Sequence, residues 1–171
     1  MELVVAVDRS WGIGYKGNLL AHVRADLMHF KELTLDKTVV YGSNTLATFP
    51  YGKPLKNRKN LILHPDPDFI VDGALTLHSL DELYAYEKAH PQETIVVIGG
   101  ESVYRQLLPA CSRAYVTRFE RTFRADVWFE NLDENPDWQL VSSGMRRKAA
   151  PEDGVGGLYF RFCVYERIEN R

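Results

Sequence analysis

An α/β fold, with one central, mixed and mostly parallel sheet flanked by helices, is what this sequence predicts, on three observations. Short β-branched runs alternate with segments of helical spacing over the first 110 residues. The interiors of those runs are apolar without strict alternation, as strands covered on both faces require. After residue 110 the runs alternate apolar and polar, as an antiparallel finish requires.

The elements follow in order. The buried-strand candidates are "ELVVAVD" (2–8), "TVVYG" (38–42), "NLILH" (60–64), "ALTLH" (74–78) and "TIVVIGG" (94–100). Helical spacing falls between them at 24–35, 43–49, 79–90 and 101–109. The third helix opens on "SLDE", where Ser79 and Glu82 form a capping box. The fourth places Val103, Tyr104, Leu107 and Leu108 on one face, and Pro109 stops it. The alternating strands are 113–123, 137–144 and 158–167, with a "DGVGG" turn before the last.

Composition bounds the function. The 171 residues are 45% hydrophobic and 26% charged, enough for a core that removes roughly 70% of the unfolded surface from water. No repeat or linker divides the chain, so one domain is expected over 1–171. A net charge of −2 with scattered basic residues speaks against nucleic acid and against a polybasic membrane patch. The apolar run "LVVAV" is too short for a leader or a span. Cys111 and Cys163 share no motif and read as free thiols of a cytoplasmic protein. The five histidines form no metal-ligand pattern with them, so no metal is expected.

Ligands of such sheets collect at strand–loop–helix junctions, where glycine amides and helix starts converge. Three junctions stand out: "AVDRSWGIGYKGNLLAHV", "VVYGSNTLATF" and "VVIGGESVYRQ". The first is long for a compact domain, which points to function. The last lacks a GxGxxG fingerprint and so gives no support to a dinucleotide-binding βαβ unit.

One residue is out of place. Wound at about 100° per residue, "HVRADLMHFKEL" sets Asp26 among Val23, Leu27, Phe30 and Leu33, while Arg24, Lys31 and Glu32 fall opposite. A lone carboxylate on that stripe is expensive, and burial raises its pKa. Either a basic neighbour such as Arg24 or Lys31 neutralises it, or a ligand does. A flat heterocycle with an amino group beside a ring N–H would match its two acceptors.

Taken together, "VAVDRSWGIGYKGNLL", "ADLMHFK", "TVVYGSNT", "PLKNRKNLIL", "VIGGESVYRQLLP" and "AYVTRFE" resemble dihydrofolate reductases of the bacterial chromosomal type, in order and in spacing, to about residue 168. The resemblance implies an eight-stranded sheet with four flanking helices, and reduction of 7,8-dihydrofolate by NADPH. It makes Asp26 the acid that anchors the pterin and favours protonation at N5, and Thr117 its hydrogen-bond partner. It makes Phe30, Leu27 and Leu55 pocket walls, and Arg58 the grip on the glutamate tail. On its own, Arg58 reads as a solvated loop charge. Val4 and Ala6 would lie beside the pterin and the nicotinamide.

For NADPH the resemblance implies Gly99, Gly100, Glu101, Ser102 and Val103 at the pyrophosphate, with a cis Gly–Gly bond, and Tyr104 at the nicotinamide. Gly42, Ser43, Asn44 and Thr45 would open a second helix toward phosphate, with His64 nearby. Ile13, Gly14 and Leu19 would belong to a loop closing over the nicotinamide. Inhibitors of diaminopyrimidine or diaminopteridine type would bind through Asp26, and a monomer is expected. Two positions depart from the pattern. Ala21 stands where many members have a tryptophan that reaches the pterin through water, and Ser43 stands where an arginine holds the 2′-phosphate. The related reductase domain of riboflavin synthesis and a binding module without chemistry remain as alternatives.

Overall fold

The computed structural model describes residues 1–169. In chain order its elements are β1 (Glu2–Val7), β2 (Gly12–Tyr15), β3 (Asn18–Leu19), α1 (Arg24–Thr34), β4 (Thr38–Gly42), α2 (Ser43–Leu46), β5 (Lys59–Leu63), β6 (Leu75–Leu77), α3 (Leu80–Ala89), β7 (Ile95–Gly99), α4 (Glu101–Leu107), β8 (Arg113–Phe119), β9 (Val127–Trp128), β10 (Trp138–Ser143), β11 (Arg147–Lys148) and β12 (Tyr159–Arg167). Short 3-10 turns sit at Pro50–Gly52, Leu108–Ala110 and Pro151–Asp153.

Eight strands lie side by side in the order β10-β12-β8-β1-β7-β4-β5-β6, and β11 adds a short ninth beside β12. From β8 to β6 every neighbouring pair is parallel. The antiparallel part is narrower than the alternation after residue 110 predicts. β8 runs parallel to β1, and of the eight strands only β12 turns back, antiparallel to β8, β10 and the short β11. β7 is buried at every residue and β4 at all but its last, which is why their sequences do not alternate.

Period-2 geometry sends alternate residues of each strand to opposite faces. Leu3, Val5, Val7, Val40 and Val97 join Leu83 of α3 and Leu107 of α4 in the larger core. Val4, Val39, Tyr41, Val96 and Ile98 form a second cluster with Leu46 of α2. On this second face Phe30, Leu33 and Leu55 pack while still partly exposed, so that side of the sheet is left as a cleft.

The long first loop is structured. β2 pairs with β3 and with β9, making a separate three-stranded sheet. The Ser79 cap forms only in one direction. Glu82 N donates to Ser79 Oγ at 3.2 Å, but the Glu82 carboxylate accepts from His78 N instead of Ser79 N. α2 stops at Leu46, short of the predicted residue 49, in turns where Thr48 Oγ1 donates to Thr45 O and Pro50 follows.

Candidate active site

Asp26 enters the cleft from the first turn of α1. Its Oδ1 accepts a 2.6 Å hydrogen bond from Thr117 Oγ1 on β8. Register places Thr117 beside Ala6 of β1 and Phe162 of β12. Burial pushes the Asp26 carboxyl above the ordinary carboxylate range, and the Thr117 hydroxyl draws it part of the way back. Neither basic neighbour neutralises it: among the described residues, Arg24 reaches Asp153 at 3.8 Å and no ion pair includes Asp26 or Lys31. The apolar stripe of α1 is not a buried face. Only Thr34 of the helix is fully buried, and Leu27 is 43% exposed. The stripe is the wall of a cleft, which answers how an acid can sit on it.

Val4, Phe30 and Leu55 belong to one apolar cluster beside that acid helix, while Leu27 projects more freely. Arg58 does not behave as a solvated loop charge. Its Nε and Nη1 are buried and have no acceptor among the described residues, and burial lowers its pKa. A guanidinium in that state calls for an anion with paired oxygens.

A groove of about 1250 Å³ opens next to this cleft, and every residue named above for the cofactor lines it, from Ala6, Ile13, Gly14 and Leu19 to Gly42–Thr45, His64 and Gly99–Tyr104. Ala6 joins the two sites, because it lines the groove and sits in register with Thr117. The Gly99–Gly100 peptide is cis, and Gly99 has φ 132°. A Cβ on Gly99 would lie 3.1 Å from Thr45 Oγ1, so only glycine lets the two helix-starting turns approach this closely. α2 and α4 both begin at glycine N-caps without side-chain caps, leaving first-turn amides for anionic groups. This cradle fits a dinucleotide pyrophosphate.

At Ser43 the groove is walled by His64 and also by His78, which sequence reading did not single out. His64 Nδ1 accepts from Asp66 N at 3.1 Å, and His78 Nδ1 lies 2.9 Å from the His64 carbonyl. Tyr104 donates to Val4 O at 2.6 Å. Burial raises its hydroxyl pKa strongly.

The loop carrying Ile13, Gly14 and Leu19 is held by Asp8, a residue the sequence reading missed. Its buried carboxylate accepts from Ser10 N (2.9 Å), Gly12 N (2.8 Å) and Phe123 N (2.9 Å). The available signal was an acid closing a buried strand just ahead of a glycine-rich loop. Trp11 follows with φ 62°, stacked on Phe129 and under the Arg118 guanidinium. Ala21 packs with Val23, Phe119 and Phe160, and so fills core space.

Comparison with known proteins agrees with this geometry. The family model for dihydrofolate reductase matches residues 1–167. A dihydrofolate reductase of Bacillus subtilis is 31% identical over 169 residues, covering 98% of this chain and 94% of that one. One from Staphylococcus aureus is 32% identical over 143 residues, covering 84% and 85%. The structure of dihydrofolate reductase from Enterococcus faecalis, complexed with NADP(H) and RAB-propyl, superposes with a TM-score of 0.83 at 31% identity, over 98% of this chain and 96% of that one. A match running through the first loop, the acid helix, both glycine turns and the last strand alike makes this chain a member of the dihydrofolate reductase family.

Proposed function

We propose that this protein reduces 7,8-dihydrofolate to 5,6,7,8-tetrahydrofolate with NADPH. The observation that carries the reading is Asp26: a carboxylate with one oxygen held by Thr117, no cation paired with it among the described residues, and a cleft in front of it. The 2-amino group and ring N–H of a pterin supply the two hydrogens it lacks. Phe30, Leu27 and Leu55 wall the ring and the benzoyl group, Val4 and Ala6 lie toward the reacting edge, and Arg58 pairs with the tail carboxylate.

When bound, NADPH supplies the hydride that forms the new C–H bond at C6. The residues that would hold it are those of the groove, with the Gly99–Gly100 turn, Glu101, Ser102 and Val103 at the pyrophosphate and Tyr104 at the nicotinamide. Ser43 and His64 would meet the 2′-phosphate. A proton reaches N5 from water, while ionised Asp26 stabilises the cation that this protonation creates. Closure of the Ile13–Leu19 segment excludes bulk water from the reacting pair.

We further propose a cytoplasmic monomer. Cys111 and Cys163 are buried free thiols, the state a reducing compartment maintains. The exposed large apolar side chains come from many separate elements of the chain. The direct test is loss of NADPH absorbance on adding dihydrofolate. Binding of both without oxidation would instead favour the module without chemistry.

A further inference from the structure

Asn60 of β5 is 3% exposed, and its carboxamide is fully used. Oδ1 accepts from Leu55 N at 3.0 Å and from the Tyr41 hydroxyl at 2.8 Å. Nδ2 donates to Leu55 O at 2.9 Å and to Arg58 O at 3.0 Å. A primary amide has two hydrogens and two lone pairs, so nothing is left over. The orientation is not ambiguous: the Leu55 amide can only donate, and the two carbonyls can only accept.

The two residues gripped are the ones assigned to the benzoyl group and the tail. Arg58 has buried Nε and Nη1 atoms with no acceptor among the described residues, so none of their side chains aims its guanidinium. Its direction is set by its backbone, and that backbone is tied to Asn60. On the far side Tyr41, fully buried on β4, anchors the amide to the sheet centre.

We propose that Asn60 is a positioning residue, which holds the Leu55–Arg58 turn in the shape that presents a preorganised guanidinium to the anionic tail of the substrate. This rests on the reading of Arg58 as the tail-binding cation. A merely structural asparagine would lower stability and affect all substrates alike. A positioning residue acts on tail binding alone.

The test compares dihydrofolate with 6-methyl-7,8-dihydropterin, which has no benzoylglutamate. Asn60→Ala is expected to raise KM for dihydrofolate about tenfold, the loss of roughly one charge-assisted contact. It should leave kcat within about twofold and the KM of the tail-less substrate unchanged. In Arg58→Ala background, Asn60→Ala should add nothing further. Equal KM rises for both substrates, a matching fall in kcat, or additivity with Arg58→Ala overturns the proposal. Should Asn60→Ala fail to fold, Tyr41→Phe carries the test, since it removes the anchor and leaves the three turn bonds. A KM rise of about threefold for dihydrofolate alone is expected, and no rise overturns it. An unchanged dihydrofolate KM in Arg58→Ala overturns the tail-binding reading itself. A raised KM in Arg58→Ala with none in the Asn60 and Tyr41 variants overturns the role of Asn60 alone.

Discussion

Asp26, the acid we propose to anchor the pterin, carries a cost in stability. Burial raises its folded pKa above the unfolded value, with Thr117 opposing. The neutral acid is therefore the form that folding favours, and the ligand-free protein loses stability as pH rises from the ordinary carboxylate range through the raised value. Asp26→Asn should consequently melt higher than the parent at neutral pH, while turnover of dihydrofolate falls by about 100-fold or more. Its residual activity should be relatively better at low pH, where substrate arrives protonated. Thermal melts and a pH–rate profile check both, and parental turnover at neutral pH would remove Asp26 from the chemistry. Ser43 makes the complementary case. A hydroxyl and two imidazoles stand where the family resemblance implies an arginine, so NADPH should be preferred over NADH by a narrow margin. Ser43→Arg should widen the ratio of kcat/KM values by about 10- to 100-fold, as one charge-assisted pair contributes roughly 1.5–3 kcal/mol. Equal parental values for the two cofactors would contradict this assignment.

At the scale of elements, the first loop is controlled from outside itself. Asp8 ties the loop amides of Ser10 and Gly12 to Phe123, a residue 115 positions away. Gly12 has no room for a side chain, since a Cβ there would lie 2.9 Å from Ala125 Cβ. Asp8→Asn substitutes a donor-bearing amide for a carboxylate that accepts from three amides. The expected loss is about 1–3 kcal/mol in denaturant unfolding, together with faster hydrogen exchange at Gly12 and Phe123. Unchanged exchange would mean that pairing of β2 with β9 holds the loop without Asp8. The short α2 carries a related lesson, since its start matters more than its length. Glycine at Gly42 brings the turn to within 3.3 Å of Val103 Cγ2, counted from the Cβ it lacks, and this closeness shapes the groove.

For the molecule as a whole, the site lies at the carboxyl ends of β4 and β7, and a separate network secures the opposite end. Glu93 accepts from Thr38 Oγ1 (2.8 Å), Tyr86 Oη (2.6 Å) and Lys59 Nζ (2.9 Å), joining the starts of β4 and β5 to α3. Burial opposes its charge, but these three hydrogen bonds win and bring its pKa from 4.5 to about 2. A folded pKa below the unfolded one gives stability that is complete above 4.5 and lost as pH falls toward 2. Glu93→Gln should cost about 1–3 kcal/mol at neutral pH and flatten the acid side of the stability profile, with dihydrofolate KM unchanged. Urea midpoints measured across that range decide it, and an unaltered acid limb would assign acid lability elsewhere.

What the chain alone determined are features encoded within a few residues of themselves: the doubly covered strands β4 and β7, the helix that carries Asp26, the glycine turn before α4 and the Ser79 helix start. Apolar periodicity and backbone permissiveness are local quantities, so they are legible without a fold. The family resemblance extended this to Thr117 and to Arg58, which in isolation reads as a solvated loop charge. Apart from that resemblance, only the tertiary structure decided that Thr117, 91 positions from Asp26, is its hydrogen-bond donor. It also decided that the Arg58 Nε and Nη1 are buried without an acceptor among the described residues, that Asn60 grips its backbone, that His78 meets His64, and that β8 pairs in parallel with β1. Such contacts depend on strand order and register across the sheet, where one residue of slip turns every side chain to the other face.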